Sequence, residues 1–309
     1  MTRWFLCTLL ALGVAGAAQA RTLEVGQDKE FRLPSDAVRV AHDGDRVAIY
    51  PGEYFDCAIV GPNKLVIEGI GKADSVIMTD KSCQGKAILV TIGEGITVRN
   101  LTLTRSRVPD QNGAGIRQEG KNLTVEGVRF INNQNGILSG TQGGYMIVRD
   151  SVFERNGACE GSCAHGLYVG FLDLLRVERS RFYETRHAHH IKSRAARTEV
   201  LDCTIEDGPE GTASYEIELP SGGNLLARGN TIVKGPKADN HTAAIVIGAE
   251  GIDQPTRDLV VENNTFRNEG QYDTAFVWNL SAGEVQVRHN KISGQVRPLR
   301  GDGQVIAAQ

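Results

Sequence analysis

The stretch Arg186-His187-Ala188-His189-His190-Ile191-Lys192-Ser193-Arg194 places three histidines, a lysine and two arginines in nine positions. Tyr168 and Arg117 precede it, and the carboxylates Glu216 and Glu218 follow. These types cover proton transfer by an imidazole near neutral pH, neutralisation of an anion, and acid–base work by paired carboxylates. They also cover a bland alternative, an ion-pair ladder on a solvated face contributing about 0–1 kcal/mol per pair. Which of these is available depends on which side chains share a face, and that is set by the elements carrying them.

The chain has 309 residues. Residues 1–20 read as a cleaved export leader: Arg3, an apolar run from Trp4 to Val14, then small residues ending in Ala18-Gln19-Ala20. The remainder, 21–309, is expected to be one domain with no membrane span, secreted to a periplasmic or extracellular location. Without Arg3 it has 33 basic and 37 acidic residues, a balance that argues against a nucleic-acid partner. A monomer is the expected state.

A repeat sets the architecture. "VRNLTL" (98–103), "VEGVRF" (125–130), "VRDSVF" (148–153), "VERSRF" (177–182), "VLDCTI" (200–205), "ARGNTI" (227–232), "VENNTF" (261–266) and "VRHNKI" (287–292) recur with a mean spacing of 27 residues. Each unit alternates with period two, so it reads as short strand, turn, short strand. Units of this length that bury one face against the next suit the coils of a solenoid. The sixth position is always large and apolar, and the fourth is Asn at 230, 264 and 290. Stacked amides on in-register strands can hydrogen-bond along the axis, so this column predicts an asparagine ladder.

The hexamers, the Asn column and the opening segment "LPSDAVRVAHDGDRVAIYPGEY" (33–54) resemble the right-handed parallel β-helix of the pectate-lyase-like superfamily. The resemblance implies an all-β fold of about eight to ten coils with a short N-terminal capping helix. It also implies that one sheet forms the floor of a saccharide cleft, walled here by 156–165, 206–214 and 234–242. The fold hosts several chemistries, so it does not choose among them.

The third strand of each coil lies about ten residues ahead of the next hexamer. With Ile116, Ile137, Leu167, Ile191, Ile217, Ile245 and Phe276 inward, their neighbours point out. One outward column then reads Arg117, Leu138, Tyr168, Lys192, Glu218, Val246, Val277; a second reads Gly115, Gly136, Gly166, His190, Glu216, Ala244, Ala275. This expectation gathers His190, Lys192, Tyr168, Glu216 and Glu218 on neighbouring rungs of the outer face.

Such a cluster fits β-elimination or epimerisation on an acidic, uronate-containing polysaccharide. Lys192, with Arg117 and Arg194, would neutralise the substrate carboxylate. His190 would take the C5 proton as base, and Tyr168 would act as acid. Two alternatives stand beside it: a non-catalytic glycan-binding or structural β-helix, and an inverting hydrolase using Glu216 and Glu218, about 6.7 Å apart as i,i+2 residues. No metal or other cofactor is expected. Calcium through Glu216 and Glu218 is a second option, though no Asp-rich loop supports it. Zinc would need His187, His189 and His190 to converge despite their opposed parity. Export admits disulfides. Cys159 and Cys163 are expected to staple the 156–165 wall, and Cys57 can pair with Cys83. Cys203 falls in the Asn-ladder column as a buried free thiol.

Overall fold

The computed structural model describes residues 20–140 and 142–307, so the expected leader lies outside it except for Ala20. The chain forms a parallel β-solenoid of about 11 turns with almost no helix. Each hexamer spans a corner. Its first half ends a strand of one sheet (Leu123–Glu126, Tyr145–Arg149, Leu174–Glu178), and its second half is a three- or four-residue strand of the next (Arg129–Ile131, Val152–Glu154, Arg181–Tyr183). The strand Val285–Ser293 crosses between these two sheets and pairs with both. The third sheet has ten strands, among them Leu167–Val169, His189–Ser193, Tyr215–Leu219, Ala243–Ile247, Thr274–Asn279 and Val296–Arg300.

In-register pairing stacks like on like. Phe130, Phe153 and Phe182 are buried with ring centroids 4.6 and 4.4 Å apart, a continuous apolar column down the bore. Two amide ladders line the corners. In the first, Asn230 Nδ2 donates to Asn264 Oδ1 and Asn264 Nδ2 to Asn290 Oδ1, each at 2.9 Å. The second was not visible as a repeat position: Asn133 Nδ2 donates to Asn156 Oδ1 at 3.2 Å at the corner leading into the third sheet. Cys203 is a buried free thiol whose backbone N–H donates to Asn230 Oδ1 and whose Sγ turns to Val177 O and Leu201 O, so it occupies the ladder column without an amide to extend it.

At the N-terminal end, helix α1 (Pro34–Val40) starts on a proline, which fits a first-turn position. It buries Ala37 and Val38 against the first coils. The outermost alignment differs from expectation in one place. Val277, not Phe276, pairs with Ile245, which puts Trp278 rather than Val277 in the outward column next to Val246. Phe276 turns into the bore and stacks on Phe266 at 4.8 Å.

Candidate functional site

The strand His189–Ser193 breaks strict alternation. Its register pairs His189 with Tyr215, Ile191 with Ile217 and Lys192 with Glu218, passing over His190 and Glu216. His189 and Lys192 therefore lie outside, whereas His190 and Ile191 both turn inward. The glycines earlier in the same column report the same geometry: a Cβ at Gly115 or Gly136 would stand 2.7 or 2.6 Å from Phe130 or Phe153 Cδ1 in the bore. The expected second outward column is thus an interior one. His190 and Glu216 are both fully buried. Neither can act on a ligand in the cleft, and Glu216 and Glu218 face opposite sides of the sheet. That removes the paired-carboxylate hydrolase and the calcium site along with the His190 base.

The outer face retains Tyr168, Lys192, Glu218 and Arg194 and gains His189. Lys192 Nζ donates to Glu250 Oε1 at 2.7 Å and lies 3.2 Å from Glu218 Oε2. His189 Nε2 lies 3.0 Å from the same Glu218 oxygen. Both nitrogens are thus within reach of the same carboxylate oxygen. Arg194 donates through Nε to the Tyr168 hydroxyl oxygen at 3.0 Å and through Nη1 to Ser221 Oγ at 2.6 Å, and it also pairs with the Glu250 carboxylate. Arg117 shares the outward column but is separated from Tyr168 by Leu138, and its nearest carboxylate is Glu119 at 3.7 Å. It does not join the cluster.

The imidazoles are fixed by the backbone. Tyr215 N–H donates to His189 Nδ1, and His189 N–H donates to His165 Nδ1, each at 3.3 Å, while the three rings stack about one rung apart. An Nδ1 that accepts leaves the proton on Nε2, so His189 presents an N–H toward Glu218. It is a positioned donor with no free lone pair for a base. His165 is held well below the ordinary histidine range by burial first, with the nearby charges of Lys192 and Arg194 adding to it. Burial would push Glu218 up, but His189 and Lys192 outweigh it and hold the carboxyl below its usual range. Glu250 is lowered in the same way, burial being outweighed by Lys192 and Arg194.

These groups floor a cleft of about 470 Å³ lined by His165, Tyr168, His189, Lys192, Ser214 and Asp239, with Cys159 and Cys163 on its rim. Cys159 is bonded to Cys163, and Cys57 to Cys83. A larger cavity of about 650 Å³ lies among turns at Asp43, Asn63, Glu94 and Asn122. Its polar groups are already tied to one another, Asp43 to Asn63 and Glu94 to Asn63 and Asn122, so it carries no comparable chemistry. Among the described residues no three His, Cys, Asp or Glu side chains are grouped to hold a metal ion.

Directly behind the cleft, the bore holds a second polar cluster. His190 bonds Thr185 Oγ1 through Nδ1 at 2.7 Å and Asp207 Oδ1 through Nε2 at 2.9 Å. Gly235 N–H donates to Asp207 Oδ2 at 2.7 Å. Lys234 Nζ donates to Ser214 O at 2.9 Å and reaches Glu216 Oε1 at 3.4 Å. Burial works against ionised Asp207, but the bond and charge of His190, with Lys234 and Gly235, hold it below the usual carboxylate range. Glu216 goes the other way: burial pushes it up, and Lys234 at a long distance only partly offsets that. Two residues of this cluster, Asp207 and Lys234, follow hexamer ends by two positions, a signal the repeat carried unread.

Residues 159–303 match a family described as right handed beta helix region. No curated protein matches the chain. Among solved structures it is similar to an alginate lyase from Paenibacillus sp. str. FPU-7, at 17% identity over 92% of this chain and 99% of that one, with a TM-score of 0.67. It is similar to the pectate lyase Pel9A at 14% identity over 94% and 79%, TM-score 0.65. It is also similar to ORF18 of Geobacillus virus E2 at 9% identity over 84% and 58%, TM-score 0.56. The chain is a right-handed parallel β-helix, the fold that the family model and these solved structures share. Below a fifth identity, the likeness to the two lyases is a likeness of fold.

Among the described residues no helix is long and apolar enough to cross a membrane.

Proposed function

We propose that the outer face of the third sheet binds an acidic, uronate-containing polysaccharide and acts on it by β-elimination or C5 epimerisation. The observation that carries this reading is the convergence of Lys192, Arg194 and Tyr168 on one cleft floor. Both cations meet at Glu250, whose side chain is 45% exposed on the turn after Ala243–Ile247. A substrate carboxylate can take the place of that glutamate. Neutralised there, it lets negative charge develop at C5 as the proton leaves. With His190 in the bore and His189 committed as a donor, the proton-moving role passes to Tyr168. Its oxygen faces Arg194 Nε, which stabilises charge forming on the phenol. In elimination Tyr168, acting as its phenolate, takes the C5 proton. The C5–H electron pair forms the C4–C5 double bond as the C4–O bond breaks, and the Tyr168 hydroxyl passes that proton to the leaving oxygen. In epimerisation a proton returns to C5 from the other side. The fold's occurrence in an alginate lyase and a pectate lyase supports this substrate class. Export to the periplasm or beyond fits both such a substrate and the two disulfides.

The test is incubation with a panel of uronate polymers, following unsaturated ends by absorbance and C5 exchange by deuterium incorporation. Lys192→Ala should lower turnover on the order of 10²-fold or more with the fold intact. Full activity in that variant, or none in the wild type on any uronate polymer, overturns the reading. A second reading, a non-catalytic glycan-binding surface, is favoured by one feature: Glu218 and Glu250 balance Lys192 and Arg194, leaving the floor neutral as it stands. Saturable binding without unsaturated ends or exchange would establish it.

A further inference from the structure

The cations at the centre of the cleft are all matched by carboxylates. Farther along the same outer face two are not. Arg297 and Arg300 lie on the strand Val296–Arg300, and among the described residues neither guanidinium is paired with a carboxylate. Arg300 is nonetheless ordered, its Cζ standing 4.0 Å over the Trp278 ring. The register places Trp278 three rungs beyond Lys192, through Glu218 and Val246, and Arg300 one rung further. At about 4.8 Å per rung that is roughly 14–19 Å along the axis.

We propose that this end of the groove is a second uronate subsite, which rests on the reading of the outer face as a polysaccharide site. Arg297 and Arg300 line a depression of about 360 Å³ together with His241, Thr242 and Asp273. His241 stacks on Tyr272 at 3.7 Å and within 5° of parallel, and the Tyr272 hydroxyl is anchored on Gly235 O at 2.5 Å. The result is a rigid aromatic wall beside two free guanidiniums. Their chemistry selects the ligand. Guanidinium forks suit a carboxylate, and the exposed Asp273 would repel a multiply charged anion such as phosphate but accepts hydrogen bonds from sugar hydroxyls. A flat aromatic wall suits the C–H face of a pyranose. A uronate residue presents all three features together. The turn Lys237–Thr242 joins the two regions, since Asp239 lines the central cleft and His241 and Thr242 line this one.

Trp4 and Trp278 are the chain's two tryptophans, so Trp4→Phe leaves Trp278 as a local reporter. The protein carrying that change is titrated with a hexa-uronate and with a neutral glucan hexasaccharide, reading Trp278 emission and calorimetric affinity together. The uronate should change Trp278 emission at saturation, and the neutral sugar should not. Arg297→Gln with Arg300→Gln should weaken the uronate by about tenfold or more. In turnover of long chains the same double variant should raise KM and leave kcat unchanged, because it touches no reacting atom. Unchanged affinity in the double variant, with Lys192→Ala still weakening the uronate, overturns the subsite alone. Weakening by the double variant with wild-type affinity in Lys192→Ala keeps the subsite and overturns the central reading. Failure of the wild type to bind any hexa-uronate overturns both.

Discussion

Lys192 and Lys234 each sit against a carboxylate of the strand Tyr215–Leu219, one outside the solenoid and one inside it. Lys192 reaches Glu218, with the exposed Glu250 as a further partner. Lys234 reaches Glu216, and both side chains are fully buried. The partners are two residues apart, and the sheet between them separates water from a dry bore. Outside, Lys192 and Glu218 are also largely covered, but the further partner Glu250 is exposed and solvent can replace it at little cost. Inside, each charge depends on the few groups present, and the balance reads out in the carboxyls: Asp207 is held low and Glu216 is driven up. One strand thus supports an outer surface whose charges include an exposed partner and a fixed polar core.

The comparison breaks most sharply at Lys234. Replacing it with Ala takes the paired cation from Glu216 and leaves Asp207 with His190 and the Gly235 N–H, and a loss of about 3–5 kcal/mol in denaturant unfolding is expected. A variant within 1 kcal/mol of wild type, as read on the same scale, would show that the bore is wetter than its burial implies. A smaller effect should appear in the pH dependence. Glu216 is raised in the folded state, so its contribution is fully present below the ordinary glutamate value of 4.5 and is lost as pH climbs toward its folded value. Asp207 has the opposite sign: its contribution holds at neutral pH and disappears as pH falls through its lowered folded value. Chemical denaturation across pH should show both slopes, and Glu216→Gln should remove the decline on the rising side alone. The smallest change belongs to the outside. Glu250→Ala should alter stability by less than about 1 kcal/mol, while removing the carboxylate that Lys192 and Arg194 share and tightening a hexa-uronate. Weaker uronate binding in that variant would show that the glutamate serves the ligand rather than stands in for it.

Much of this architecture was legible in the chain. The 27-residue spacing, the apolar sixth position and the Asn column describe a corner that every rung must turn in the same way, so the fold, the bore and one ladder followed from it. The site was only half legible. Lys192, Tyr168 and Glu218 lie where alternation from Ile191 puts them. His190 and Glu216 do not, because two successive residues turn inward at the entry to this strand. Parity counting cannot see such a break, although the glycines at 115 and 136 marked it: they stand where the phenylalanine column leaves no room for a side chain. Glu250 was out of reach for another reason. It arrives from a turn outside the repeat, held by its backbone N–H on Pro220 O and by its side chain on Lys192 and Arg194, none of which the repeat pattern shows.

The Cys57–Cys83 bond spans 26 residues, close to one circuit of the coil, and its cysteines sit at the starts of the first rungs of the third sheet. In a structure where each rung rests only on its neighbours, disassembly is a zipper that opens from an end. A covalent tie between consecutive rungs removes the first tooth of that zipper. The first two rungs of the third sheet can then open only together, which biases unravelling toward the other end.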